Sequence, residues 1–154
     1  MRISDHLLDQ ANLIAKRGRR PRGTDLKRAT STVYYALFHA VAKQCADSLA
    51  GSGSRLSPAW TRIYRALNHS KAKSEFKKIS QAGKNRSLLQ LAASFNDLQE
   101  ARHYADYDPG PSKLSRFELI AQIELTQTII VNLSKIPQDE LRDLATKFLL
   151  QERQ

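Results

Sequence analysis

Leu91, Phe95, Leu98 and Ala105 fall on one face of a helix at the i, i+4, i+7, i+14 spacing, and Arg102 lies in the middle of that stripe. A helix with one apolar face must lay it against other elements. No stretch of this chain alternates apolar and polar residues as a half-buried strand does, so those elements are helices too. An arginine within such a stripe must be paired, because a bare buried charge costs several kcal/mol. Asp106, one turn on, is the partner its spacing offers, and His103, Tyr104 and Tyr107 crowd beside the pair. Polar groups held at the edge of a helical core mark a place where a helical protein builds a site.

The 3.6-residue period recurs along the chain. Ser4 or Asp5 can cap a first helix to about Lys16, with Leu7, Leu8, Ala11 and Ile14 inward. A basic connector, Gly18 to Gly23, contains Pro21. Thr24 or Asp25 starts a long second helix to about Leu49, and Ala50–Ser54 reads as a flexible loop. Ser57-Pro58 pairs an N-cap with proline at the first helical position, opening a third helix with Trp60, Ile63, Tyr64 and Leu67. Its pattern falters near Asn68–Ser70 and resumes to about Ile79, before a polar turn at Gln81–Asn85. A fourth helix runs from about Ser87 to Tyr107 and is stopped by Asp108–Pro111. Ser115 with Glu118 forms a capping box for a fifth, apolar nearly all round between Thr128 and Leu133. Pro137, with Asp139 and Glu140, opens a short last helix. The expectation is one all-α domain over residues 1–154, an antiparallel bundle of five to six helices. The fifth helix is central in the bundle or partly buried in a second copy, which points to a homodimer.

Twenty-five Lys and Arg against 15 Asp and Glu leave a formal charge of +10. Much of the excess is in two runs. Lys16, Arg17, Arg19, Arg20, Arg22, Lys27 and Arg28 face only Asp25, and Lys71, Lys73, Lys77, Lys78, Lys84 and Arg86 face only Glu75. Such runs fit a polyanion, and RNA is the partner expected. Anionic lipid fits less well, since neither run lies on an obvious amphipathic membrane helix. No apolar run approaches the ~18 residues of a membrane span. A lone Cys45 excludes an internal disulfide, and the N-terminus has no signal-like apolar stretch. A cytoplasmic location is expected.

Two helices carry polar residues of chemical interest. Arg28, Thr32, Tyr35 and His39 share a stripe beside the core positions Tyr34, Leu37, Phe38 and Val41. Arg62, Arg65 and His69 share a face of the third helix if it is unbroken. Imidazole changes protonation near neutral pH, and guanidinium forks onto phosphate. Metal-free RNA cleavage needs that pairing: a base for the 2′-hydroxyl and a cation for the charge that develops on phosphorus. No metal-ligand spacing, glycine-rich phosphate loop or dinucleotide fingerprint is present, so no metal or cofactor is expected.

Three stretches resemble the HEPN superfamily of small helical bundles. Lys27–Ala40, KRATSTVYYALFHA, is similar to its R-x-S-x-A-Y-Y-A-x-F-H helix. Tyr64–His69, YRALNH, followed by Phe76, is similar to its histidine-then-phenylalanine segment, and Arg102–Tyr107, RHYADY, to the R-x-x-A-D-Y ending of one subgroup. The resemblance implies a helical bundle that often dimerises. It also implies metal-independent ribonuclease activity, commonly in toxins and defence nucleases, with Arg and His of an R-x4-6-H motif meeting in a cleft between protomers. Carried onto this chain, the arginine is Arg102, and Tyr107 stands where the toxin version has histidine. His39, His69 and His103 are then the candidates for proton transfer, with Asp106 orienting Arg102 or a histidine. Arg19, Arg20, Arg22, Arg28, Arg62, Arg65, Lys71 and Lys73 are the candidates for RNA contact. The alternative is a non-catalytic HEPN module that binds RNA, a nucleotide or a partner nucleotidyltransferase of the toxin–antitoxin kind, for which Tyr107 is a candidate modification target.

Overall fold

The computed structural model describes residues 2–82, 85–151 and 153. Among them every regular element is helical. The longest helix, α2 (Gly23–Ala50), is the axis. It buries small residues around much of its circumference: Ala29, Ala36, Ala40, Ala42, Cys45 and Ala46, beside Val33, Tyr34, Leu37 and Val41. Small side chains let other helices approach on several sides at once. Accordingly α1 (Ile3–Ala15), α3 (Pro58–Ala66), α5 (Arg86–Tyr107), α6 (Arg116–Asn132) and α7 (Gln138–Leu149) all pack on α2. The remaining helix, α4 (His69–Ala82), packs on α5 and α7. Phe76 of α4 is fully buried between Phe95 and Phe148, with ring centroids 4.6 and 5.1 Å away.

The all-α expectation holds, with seven α-helices among the described residues rather than five to six. The extra helix comes from the faltering pattern after α3. Leu67 leaves the helix with ψ 125°, and Asn68 then caps α4, its Oδ1 accepting from the amides of Ser70 at 2.9 Å and Lys71 at 3.2 Å. Two caps stand where the sequence puts them. Ser57 Oγ accepts from the Trp60 amide at 3.2 Å, and Ser115 and Glu118 exchange bonds of 3.1 and 2.9 Å. A third is displaced: α1 starts at Ile3, and Asp5 accepts from the Arg2 amide at 3.3 Å from inside the first turn instead of preceding it. Of the turn expected at Gln81–Asn85, Gln81 and Ala82 belong to α4 instead; Gly83 and Lys84 lie outside the described residues.

The fifth helix of the sequence reading, α6, is not the centre. It buries Leu119, Ile123, Ile129 and Ile130 and leaves Phe117, Leu125 and Val131 exposed. At its start Arg116 joins distant parts of the chain. Its guanidinium donates to the carbonyls of Ala15, Arg17, Gly18 and Arg19 at 2.8–3.2 Å, pinning the basic connector between α1 and α2. Gly18 makes that connector possible, because its φ of +71° is one that side-chain-bearing residues rarely adopt.

Candidate functional site

Three helices meet around Tyr34. Its ring is buried in α2, packed edge-on to Phe95 of α5 at 5.5 Å. Its hydroxyl meets Nδ1 of His69, the first residue of α4, at 2.5 Å. The His69 ring is stacked on Phe38 of α2 at 4.2 Å. Gln99 of α5 donates to the His69 carbonyl at 3.2 Å, one turn ahead of Arg102, and so ties the start of α4 to the helix that carries the arginine.

Arg102 closes the cluster. Its guanidinium carbon lies 5.0 Å from the centre of the Tyr34 ring and 5.9 Å from that of Tyr35, and Nη1 is 3.6 Å from Asp106 Oδ2. The side chain is 12% exposed and Nε is buried without a partner among the described residues. The pairing demanded by the apolar stripe is thus shared between a carboxylate and two aromatic faces.

His39 stands next to this group. Its Nδ1 meets the Tyr64 hydroxyl at 2.5 Å, and Tyr64 stacks on Trp60 at 5.1 Å. The indole N–H of Trp60 donates to Asp47 at 2.9 Å. Asp47 also accepts from Lys43 at 2.7 Å and from Arg55 at 3.0 and 2.8 Å. Asp47 anchors α3, and α3 holds Tyr64 against His39.

The electrostatics follow from this packing. Burial lowers the pKa of His69, and the positive charge of Arg102 and the proximity of His39 lower it further. Burial alone lowers that of His39. Both imidazoles are therefore neutral at pH 7. Burial raises Tyr34 far above the phenol range, against the pull of Arg102, and raises Tyr64 as well. Cys45 is buried and its thiol is pushed up to about 12, so it is a core residue without thiolate chemistry.

Of the residues singled out from sequence, the structure brings together Arg102, Asp106, His69 and His39. It does not bring His103 and Tyr107 into the cluster. Both are exposed and pair with each other at 4.8 Å, on the rim of an open groove of about 580 Å³ that Arg102, Gln99 and Lys73 also line. Arg62 and Arg65 do not share a helix with His69, since α3 ends at Ala66, and both are exposed. Arg28 lies with Lys27, Tyr35 and Asp106 along a second open groove beside the cluster. Arg19, Arg20 and Arg22 are exposed on or beside the connector that Arg116 pins. Lys71 is engaged by the buried Glu75 at 3.8 Å, and Lys73 is exposed. Tyr34 and Gln99 were not legible as site residues: the first reads as core, and the second carries no motif.

Among the described residues no group of three His, Cys, Asp or Glu side chains converges to hold a metal ion, and no helix is long and apolar enough to cross a membrane. The chain matches no protein-family model, no curated protein and no solved structure.

Proposed function

We propose that this protein is an RNA-directed HEPN ribonuclease that cleaves without a metal ion, working as a homodimer in a toxin or defence role. One observation carries the reading. A permanent cation, Arg102, and a neutral histidine, His69, both meet Tyr34, the cation over its ring and the imidazole at its hydroxyl, from helices that the chain need not have brought together. The chemistry balances without further reagents. A neutral imidazole takes the 2′-hydroxyl proton, and the oxygen attacks phosphorus. The bond to the 5′-oxygen breaks, that oxygen takes the proton back from the imidazolium, and a 2′,3′-cyclic phosphate remains. Arg102 offsets the charge on the phosphoryl oxygens. Exposed Arg19, Arg20, Arg22, Arg28, Arg62, Arg65 and Lys73 supply cations for the remaining phosphates. The exposed Phe117, Leu125 and Val131 of α6 offer an apolar face for a second copy.

The test is purified protein with total RNA in EDTA. Arg102→Lys keeps the charge and loses the planar fork, and cleavage should fall about tenfold or more, ~1.4 kcal/mol of transition-state stabilisation, with the fold intact. Full activity in that variant would remove Arg102 from the mechanism. Light scattering should give twice the 17.4 kDa chain mass.

A second reading has its own support. Both Nδ1 atoms are occupied by tyrosine hydroxyls, and Tyr107 stands at the family's histidine position. On this reading the protein binds RNA, a nucleotide or a partner nucleotidyltransferase and cleaves nothing. Tight, metal-free RNA binding with no products would favour it.

A further inference from the structure

We propose that Tyr34 fixes His69 in the tautomer protonated at Nε2, and that this N–H and the Arg102 guanidinium together form a two-donor site for a phosphate group. The inference deepens the ribonuclease reading, because it assigns His69 its part there, but it does not require that the bound phosphate be cleaved.

The argument is one of hydrogen accounting. Tyr34 is fully buried, so its hydroxyl hydrogen cannot go to water and must find a protein acceptor. Arg102 lies over the ring at 5.0 Å and is a donor only. A permanent cation there turns the hydroxyl oxygen toward itself and the hydrogen away; the lowering influence of Arg102 on the phenol, partly through a hydrogen bond, is the same effect. The atom left within reach is His69 Nδ1, at 2.5 Å. Were Nδ1 protonated, two donors would point at one oxygen and the buried hydroxyl hydrogen would have no acceptor. The satisfied arrangement is Tyr34 donating to Nδ1, with the Arg102 cation over its ring. A neutral imidazole has one N–H, which must then be on Nε2.

That N–H has no hydrogen-bond partner among the described residues, and the ring carrying it is only half-buried. The stack on Phe38 fixes the ring plane, and the Gln99 bond to the His69 carbonyl fixes its height against α5. The outcome is a neutral N–H donor close enough to the Arg102 guanidinium to feel its charge, and that guanidinium also lines the open groove. Two donors of this kind, one charged and one neutral, suit the oxygens of a phosphate monoester or diester. In the ribonuclease reading, His69 in this form holds a phosphoryl oxygen, and the proton acceptor is His39, whose Nδ1–H donates to the half-buried Tyr64 hydroxyl and leaves its Nε2 free to take a proton.

Nitrogen-15 labelling of the histidines reads the tautomer directly. His69 signals are identified by their loss in His69→Gln. At pH above about 7, where both imidazoles are neutral, the wild-type protein should show a protonated Nε2 and an unprotonated Nδ1 at His69. Tyr34→Phe should convert this to a mixture of tautomers. Inorganic phosphate should shift the Nε2 signal saturably, and Arg102→Lys should weaken that binding about tenfold or more. A protonated Nδ1 in the wild type overturns the proposal even if Tyr34→Phe fails to fold, and so does an Nε2 signal that phosphate leaves unmoved. The ribonuclease reading falls separately: an Nε2–H that binds phosphate in a protein that cleaves no RNA keeps this inference and removes that one.

Discussion

Asp47→Asn tests whether the α2–α3 junction supports the site. The carboxylate takes four hydrogen bonds: Arg55 Nε and Trp60 Nε1 on Oδ1, Lys43 Nζ and Arg55 Nη2 on Oδ2. Burial works to raise its pKa, but the bonds from Arg55, Lys43 and Trp60 outweigh burial and hold it well below the carboxylate range. Asparagine keeps one acceptor oxygen and turns the other into an amide donor facing cations. A charge-assisted bond is worth about 1.5–3 kcal/mol. The Lys43 and Arg55 side chains are 22% and 47% exposed, so solvent screening puts their share at the low end. The net expectation is a loss of about 2 kcal/mol, or roughly 4–8 °C in Tm for a chain of this size. Urea unfolding followed by fluorescence is the assay, since Trp60 is the sole tryptophan and lies in the network. The sign with pH is fixed. A carboxylate with a depressed folded pKa stabilises above the unfolded value of about 3.9, and that contribution is lost as pH falls through the folded pKa. The gap between wild type and variant should therefore be constant at neutral pH and close below about pH 4. A gap under about 0.5 kcal/mol at pH 7, or one that survives acidification, refutes the reasoning.

Two further outcomes follow from the same geometry. Arg116→Lys replaces a planar fork touching four carbonyls by a point charge that cannot reach them all, so trypsin should cut within Arg17–Arg22 several-fold faster while the melting temperature falls little; unchanged proteolysis would mean the connector holds its own shape. His69 and His39 both have folded pKa values below the ordinary ~6.5, so the unfolded chain binds more protons just below it, and stability is full above that pH and lost as pH falls from there through the folded values. A Tm profile should decline from about pH 6.5 downward and flatten in His39→Gln, and an equal decline in both proteins would place the titrating group elsewhere.

What the sequence made legible was local. The Arg102–Asp106 pair, the Ser57 cap and the Ser115–Glu118 box are all set within one or two turns, and each stands where its spacing puts it. What it hid was long-range or carried by backbone. Tyr34 reads as core because its ring is core; only its hydroxyl belongs to the site, and its partner is 35 residues away. The clamp at Arg116 leaves no side-chain signature, since its acceptors are carbonyls about a hundred residues earlier. The centrality of α2 was written in its alanines, a weaker signal than the isoleucines of α6. The decisive local event is the break after α3. Were the helix to run on through Leu67 and Asn68, His69 would keep the face of Arg62 and Arg65, and both of those are exposed. Leaving the helix at Leu67 and recapping on Asn68 makes His69 the first residue of a new helix, packed on α5 and able to reach Tyr34. A two-residue interruption thus converts a histidine on a basic surface into a neutral one beside Arg102.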